Sequence, residues 1–322
     1  MTRGAALAEL EADAAFVHET LLPTPQIAWP LLAARAGCEV WLKHENHGPI
    51  GSFKLRGGLT YLRELRARER GVRGVVAATR GNHGQSVPYA ARRFGIPATI
   101  VVPHGNSVDK NAAMRALGAV LVEHGRDFQD AFEHASALAK SQDLHLVPSF
   151  HEWLVRGTST WAFELLRAVP DLDLLYVPIG LGSGICGALR ARDALGATTK
   201  IVGVVAEGAP TYARSFAARR PVPTDAADTF ADGIAVRVPN PEALAGICAG
   251  VERIVQVSDA EIRAAIRALF SDTHNVAEGA GAAGLAACLR ERDVVAGKRV
   301  ALVLSGGNID RDLYARILAQ KE

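Results

Sequence analysis

The chain has 322 residues, of which 49% are hydrophobic and 22% are charged, and its formal net charge is +2. This length is too great for one small core and is typical of two lobes with a cleft between them. The composition is that of an ordinary globular protein. Basic residues are spread through helical segments rather than gathered in a stripe, which argues against nucleic acid as a partner.

The cysteines and the N-terminal segment indicate the cellular location of the protein. Its four cysteines, Cys38, Cys186, Cys248 and Cys288, form neither a disulfide framework nor a cluster at zinc-ligand spacing. We therefore expect no metal there and a reducing, cytoplasmic location. The N-terminal segment has a helical Ala/Glu/Leu pattern without the apolar run of a signal peptide. Since no segment reaches eighteen uncharged apolar residues, we expect no association with membranes.

Short β-branched runs alternate with Ala/Leu/Arg-rich helical segments, a rhythm that predicts parallel sheets wound by helices. The predicted strands are 75–79, 98–103, 120–124, 174–179, 200–206 and 298–305. Two groups of strands imply two α/β domains. Ligands bind at the carboxyl ends of such strands, so the polar residues that follow each run are the candidate site.

The first polar motif in chain order is Gly-Ser-Phe-Lys-Leu-Arg-Gly-Gly, in which Lys54 follows Phe53 and begins a helical run. A helix N-terminus is electropositive and favours anions. A lysine amine held there away from water has a lowered pKa, and the neutral amine is the form that condenses with an aldehyde. The same pattern also fits a surface lysine near a helix start.

The second motif, Thr-Arg-Gly-Asn-His-Gly-Gln, begins at Thr79 directly after a predicted strand. A strand, a turn and a helix start together offer free backbone N–H groups to a carboxylate, so Thr79, Arg80, Gly81 and His83 are candidates for substrate binding. Asn82 can hydrogen-bond a phenolic or carbonyl oxygen of a ligand. It can equally form an Asx turn, with His83 as a helix cap.

The third motif, Pro178 to Gly187, again combines a strand, a glycine-rich turn and a helix start. Closely spaced glycines let successive backbone amides turn toward one phosphate, and Ser183 adds a hydroxyl donor. The G-x-G-x-x-G spacing from Gly182 also matches the dinucleotide fingerprint, with Glu207 where a ribose-binding acid would lie. The loop therefore fits a nicotinamide dinucleotide, a single phosphate cofactor or a structural turn.

The fourth motif, Ser305-Gly306-Gly307-Asn308, follows the last predicted strand. Its glycines allow close approach by a flat ring. Its serine can hydrogen-bond a ring nitrogen without protonating it. An ordinary strand-to-helix turn has the same composition. The motif therefore indicates a ligand site only in combination with the other three motifs.

In this order the four motifs resemble the serine/threonine dehydratase family of fold type II pyridoxal-phosphate enzymes, over about residues 22–318. The resemblance implies a tryptophan synthase β-like fold of two doubly wound α/β domains. A small domain, 63–150, would be inserted in a large cofactor-binding domain, 1–62 and 151–322. The resemblance also implies pyridoxal 5′-phosphate as cofactor, an amino acid as substrate and a homodimer.

Residue by residue, the resemblance implies that Lys54 carries the cofactor as a Schiff base, with Phe53 beside its ring. Asn82 would contact the 3′ oxygen and Ser305 the pyridine nitrogen. The phosphate loop would consist of Gly180, Leu181, Gly182, Ser183 and Gly184. Because an unprotonated pyridine is a poorer electron sink, loss of a β leaving group is favoured over transamination.

Three departures from the family pattern bear on the substrate. Arg80 stands where alanine or serine is usual, and arginine does not readily replace the serine that racemases use as an acid/base. Arg80 therefore either reads an unusual substrate group or points outward. Leu181 and Ser183 replace glycines, which reshapes the substrate side of the pocket. Ala213 stands where an aspartate would bind a divalent cation together with Glu207, so no metal is predicted.

We therefore predict a lyase that converts a β-hydroxy amino acid to a 2-oxo acid and ammonia. Threonine or serine is the default substrate, and a bulkier 3-substituted serine is the other choice. The alternatives are β-replacement or racemisation on the same scaffold, a non-catalytic sensor of cofactor or amino acid, and a nicotinamide-dependent oxidoreductase, which leaves Lys54 and Ser305 without a role. Glu278 lies near a predicted helix start and fits either a residue of the cofactor pocket or, as the preferred interpretation, an acid that stabilises the helix dipole.

Overall fold

The computed structural model of the chain describes residues 2–320. The strands are β1 (Gln26–Ala28), β2 (Glu39–His44), β3 (Val75–Ala78), β4 (Ala98–Val102), β5 (Val120–Glu123), β6 (His145–Leu146), β7 (Leu174–Pro178), β8 (Lys200–Ala206), β9 (Arg253–Val257) and β10 (Arg299–Leu304). The helices are α1 (Arg3–His18), α2 (Pro30–Ala36), α3 (Lys54–Arg68), α4 (Asn82–Arg93), α5 (Val108–Ala116), α6 (Phe128–Gln142), α7 (Glu152–Ala168), α8 (Ser183–Leu195), α9 (Thr211–Ala218), α10 (Pro241–Gly250), α11 (Asp259–Thr273), α12 (Gly279–Arg290), α13 (Arg292–Val295) and α14 (Arg311–Leu318), with a 3-10 turn at Asp232–Ile234.

The strands form two sheets. The larger has six strands in the order β1-β2-β10-β7-β8-β9, and the smaller has four in the order β5-β4-β3-β6. β1 is antiparallel to β2, and all other pairs are parallel. The predicted α/β class with parallel sheets is confirmed. The domain boundaries stay a prediction, and all four strands of the smaller sheet lie between residues 63 and 150.

Each of the six strands predicted from the sequence is confirmed to within one residue at either end. Five of them are buried apolar runs because helices cover both faces of the sheet, whereas β5, at the edge of the smaller sheet, is partly exposed. Along β10, Val300 and Leu302 pack with α11 and α12 on one face. The intervening Ala301 and Val303 pack with α7 and α8 on the other face. The strands β1, β2, β6 and β9, which are short or carry charges, were not predicted.

A buried charge network anchors α3, the helix that begins at Lys54. Arg56 donates to both oxygens of Glu45 on one side, at 2.7 and 2.9 Å, and to both oxygens of Glu164 in α7 on the other, at 2.6 and 2.9 Å. Lys43 of β2 donates to Glu164 at 2.6 Å. The Arg56, Lys43 and Glu45 side chains are fully excluded from solvent. Their bonds fix the position of Lys54 relative to the larger sheet.

Two further properties concern the described chain as a whole. No helix within residues 2–320 is long and apolar enough to cross a membrane. All four cysteines are free, and Cys38 and Cys288 are close enough for their thiols to hydrogen-bond. No group of three or more His, Cys, Asp or Glu side chains in the described part is arranged to hold a metal.

Candidate active site

A cavity of about 630 Å³ lies where β3, β7 and β10 end, and it is lined by residues that follow strands of both sheets. This volume is typical of a small-molecule site. Every site residue selected from the sequence lines the cavity: Phe53, Lys54, Thr79, Arg80, Gly81, Asn82, His83, Gly180, Leu181, Gly182, Ser183, Gly184 and Ser305. Four motifs that are distant in the sequence therefore share one cavity.

Lys54 is the first residue of α3, and the chain before it is fastened to the end of β10. The Phe53 amide donates to the Ser305 carbonyl at 3.1 Å, and the Lys54 Nζ donates to Ser183 Oγ at 3.0 Å. Burial lowers the pKa of Lys54 to about 8, although the charge of Glu278 opposes this shift. At neutral pH roughly one amine in ten is then unprotonated, far more than for an exposed lysine. The structure thus provides a nucleophilic amine inside the cavity.

The glycine-rich loop connects β7 to α8 and is closely packed. Gly182, the N-cap of α8, has a φ of +105°, which favours glycine. A Cβ on Gly180 would meet the carbonyl oxygen of Gly233 at 2.4 Å. The buried Tyr212 hydroxyl donates to the Leu181 carbonyl at 3.1 Å and holds the loop in place. Since the first turn of α8 leaves amide groups unpaired, the loop can bind a phosphate.

The turn between β3 and α4 offers a second set of amides. Thr79 Oγ1 accepts a hydrogen bond from the Gly81 amide at 3.0 Å, which shapes the turn. The Asn82 side chain donates to Glu278 Oε1 at 2.6 Å and accepts from Asn308 Nδ2 at 2.7 Å. Asn82 is therefore held by side chains that lie after β10 and before α12, which fixes its amide at the cavity wall.

His83 lies inside the same wall as a neutral imidazole. Burial, together with the positive charge of Lys54, lowers the pKa of His83 to about 3, and the ring donates to the Val147 carbonyl. Its Nε2 has no hydrogen-bond partner among residues 2–320. A buried, unpaired acceptor in a cavity wall is unusual and is explained if a ligand donates to it.

The structure also places a charge cluster of Lys110, Asp232 and Glu278 at the cavity, and of these three the sequence pointed only to Glu278. Lys110 Nζ lies 2.5 Å from Asp232 and 3.5 Å from Glu278, and all three side chains line the cavity. Burial raises the pKa of Glu278, whereas the two carboxylates outweigh burial and raise the pKa of Lys110. Of the two interpretations of Glu278, the structure supports the pocket residue over the preferred helix-start acid, because the carboxylate turns to Asn82 and Lys110 and makes no capping bond.

The groups that line the cavity can be compared with those required to bind a phosphorylated aromatic aldehyde. Lys54 supplies a reactive amine, and the loop before α8 supplies unpaired amides. The absence of a side chain at Gly184 leaves space beside the Phe53 ring, since a Cβ there would lie 3.2 Å from that ring. Ser305 supplies a neutral hydroxyl at the end of β10. These groups fit pyridoxal 5′-phosphate, whereas Glu207, the acid expected for a dinucleotide, is paired with Arg290 at 2.8 Å and does not line the cavity.

Comparisons with known proteins agree with this fit. Residues 17–306 match the family model described as pyridoxal-phosphate dependent enzyme. L-threonine ammonia-lyase of Thermotoga maritima is 38% identical over 303 residues, which cover 94% of this chain and 74% of that protein. L-threo-3-hydroxyaspartate ammonia-lyase of a Pseudomonas species is 35% identical over 296 residues, 92% of each protein. The structure of threonine deaminase isoform 2 from Solanum lycopersicum is similar with a TM-score of 0.90 and 30% identity, over 98% of this chain and 94% of that chain. The chain therefore belongs to the fold type II family of pyridoxal-phosphate-dependent enzymes, and its cofactor is pyridoxal 5′-phosphate.

Proposed function

We propose that this protein is an ammonia-lyase that converts a β-hydroxy amino acid to a 2-oxo acid and ammonia, with threonine or serine as default substrates. The observation that carries the proposal is the Lys54 amine, whose pKa is lowered to about 8 in a cavity lined by all four motifs. Relatives over 30% identical, named as ammonia-lyases, support the same reaction class.

We assign the cofactor-binding roles as follows. Lys54 would attach the cofactor, with Phe53 beside its ring. Asn82 would bind the 3′ oxygen, Ser305 would contact the pyridine nitrogen, and the amides of the loop Gly180–Gly184 would bind the phosphate. When bound, pyridoxal 5′-phosphate withdraws electrons from the substrate Cα and acidifies its proton.

Lys54 would also serve as the acid/base that moves the substrate proton. Because its pKa is lowered to about 8, both the neutral and the protonated amine are populated near neutral pH. Lys54 can therefore take the proton from Cα and later return one. Its hydrogen bond to Ser183 Oγ holds Nζ in a fixed direction within the cavity.

The substrate carboxylate is assigned to the turn before α4. The amides of Asn82 and His83 form the electropositive N-terminal end of α4, which favours an anion. Thr79 shapes the turn through its bond to the Gly81 amide. The unpaired Nε2 of His83 is available to a donor on the bound ligand.

Racemisation and β-replacement are the alternatives on this scaffold. Arg80 stands next to the helix start that would bind the substrate carboxylate, where an acid/base for the opposite face of Cα would be needed. A guanidinium stays protonated at all physiological pH values and cannot exchange that proton. This difference favours elimination.

We also propose a cytoplasmic homodimer. The free cysteines suit a reducing compartment. The homodimer is what the resemblance to the family implies. Light scattering of the purified protein at several concentrations measures the oligomeric state, and a monomer throughout would contradict this part.

The reaction is tested with purified holoenzyme and a panel of L-threonine, L-serine and L-threo-3-hydroxyaspartate. We expect equal amounts of 2-oxo acid and ammonia from at least one of them, and none with Lys54→Ala. Lys200→Ala, in an exposed lysine paired with Glu252, is the matched control and should keep full activity. Inverted amino acid without oxo acid, or product only with an added thiol, would instead support racemisation or β-replacement.

A further inference from the structure

Arg80 is a cavity residue that the proposed reaction leaves without a task. It follows Thr79 at the end of β3 and directly precedes Gly81, the N-cap of α4. Its side chain is one of those that line the cavity, and it is also exposed to solvent. Arg80 makes no hydrogen bond and no ion pair with any other residue from 2 to 320, unlike the other arginines and lysines of this wall. Its charge is thus available to a ligand.

Arg80 differs from Lys110 and Arg237, the other cations that line the cavity beside Lys54, because each of those two is paired with a carboxylate. Lys110 is neutralised by Asp232 and Glu278 at 2.5 and 3.5 Å. Arg237 is paired with Asp127 at 3.6 Å. Each carboxylate that lines the cavity is thereby paired with a cation other than Arg80, with Asp232 and Glu278 sharing Lys110.

The remaining lining cations are Lys54, which attaches the cofactor, and Arg80. A guanidinium in a cavity wall is most favourably used in a bidentate bond to a carboxylate or phosphate. The cofactor phosphate is assigned to the loop before α8, on the chain that follows β7 rather than β3. Arg80 is therefore free to bind an anionic group of the substrate.

The substrate already has one carboxylate, and the amides at the start of α4 are suited to bind it. Arg80 is the neighbouring residue, so a second anionic group would have to lie close to the first. Carboxylates on adjacent carbons, Cα and Cβ, meet this requirement. A methyl group on Cβ, as in threonine, leaves the guanidinium without a partner.

We propose that Arg80 is a specificity-determining residue that binds a carboxylate on the substrate Cβ, so that the preferred substrates are 3-hydroxy amino diacids such as 3-hydroxyaspartate. This inference rests on the proposed ammonia-lyase function. Lys54 takes the Cα proton, and the bond from Cβ to oxygen breaks as the hydroxyl leaves with a proton as water. Hydrolysis of the released enamine consumes one water and gives oxaloacetate and ammonia.

The test compares two substrates that differ only in the group on Cβ. L-threo-3-hydroxyaspartate carries a carboxylate where L-threonine carries a methyl group. For Arg80→Gln we expect kcat/KM to fall about 100-fold with 3-hydroxyaspartate, the usual worth of a charged hydrogen-bonded pair, and by less than about threefold with threonine. Arg80→Lys should recover part of the loss. Arg73→Gln, in an exposed arginine whose ion pair to Asp143 spans 3.8 Å, controls for the change in net charge and should alter neither value.

A binding measurement without turnover accompanies the kinetics. L-aspartate and L-2-aminobutyrate lack a β leaving group and again differ by a carboxylate against a methyl group. Titration of each into the holoenzyme, followed by the change in cofactor absorbance, should show a preference for aspartate that Arg80→Gln removes.

The outcomes separate this inference from the proposed function. An equal loss with both substrates would mean that Arg80 binds the α-carboxylate, and no loss with either would mean that it points to solvent; each overturns the inference. If the wild-type enzyme forms no oxo acid at all, the ammonia-lyase proposal fails. The aspartate and aminobutyrate titrations would then still decide whether Arg80 reads a second carboxylate.

Discussion

Replacement of Arg56 by methionine should destabilise the protein strongly. Arg56 donates four hydrogen bonds to the carboxylates of Glu45 and Glu164. In its absence Lys43 is the cation that remains close to both acids, at 4.0 Å from Glu45 and 2.6 Å from Glu164. One buried negative charge is then uncompensated. Breaking a buried ion pair from one side costs about 3–5 kcal/mol, a large part of the typical stability of a domain.

The assay is urea unfolding of the holoenzyme, followed by circular dichroism and by cofactor absorbance. We expect Arg56→Met to lower the free energy of unfolding by about 4 kcal/mol, and a second change, Glu45→Gln, to restore part of it because one orphaned charge is removed. Arg311→Met is the matched control, since this arginine is 89% exposed and should contribute less than about 0.5 kcal/mol. A loss for Arg56→Met no larger than that for Arg311→Met would refute the reasoning.

Three further predictions concern the cavity. Only the neutral amine reacts, and burial lowers the pKa of Lys54 to about 8. The rate at which apoenzyme takes up pyridoxal 5′-phosphate should therefore rise about tenfold per pH unit below pH 8 and level off above it. Stopped-flow absorbance measures this rate, and a rate independent of pH would contradict the prediction. Gly182→Ala should weaken cofactor binding at least about tenfold, because the φ of residue 182 is +105° and the new Cβ would lie 2.5 Å from the Cβ of Ala243. Equilibrium dialysis measures the Kd, and an unchanged Kd would show that the loop tolerates the strain. Lys110→Met should cost about 3 kcal/mol in urea unfolding, because Asp232 and Glu278 lose their shared cation, and Glu278→Gln in the same chain should recover part of it.

The sequence predicts those parts of the site that depend on local pattern. The glycine loop, the helix that follows each of the first three motifs and the strands before the last three each follow from a short segment, although α4 begins at Asn82 rather than at Ser86 as the sequence predicts. The G-x-G-x-x-G spacing alone was ambiguous, because such a loop can offer the same amides to a dinucleotide or to a single phosphate. The pairing of Glu207 with Arg290, away from the cavity, could be seen only in the folded chain.

Contacts between distant segments could not be predicted. Lys110 lies in a helix of ordinary mixed composition, and its partners Asp232 and Glu278 come from parts of the chain more than a hundred residues away. The strand β2 was missed for a related reason. Its Lys43 suggests an exposed segment, yet the charge is buried because Glu164 reaches it from α7.

The most direct test of the account concerns the residue that carries the cofactor. Holoenzyme is reduced with borohydride, digested with a protease, and its peptides are sequenced by mass spectrometry. The account predicts a phosphopyridoxyl group on Lys54 and on no other lysine. The same label on Lys43 or Lys110, or no label in a protein that keeps its cofactor absorbance, would contradict it.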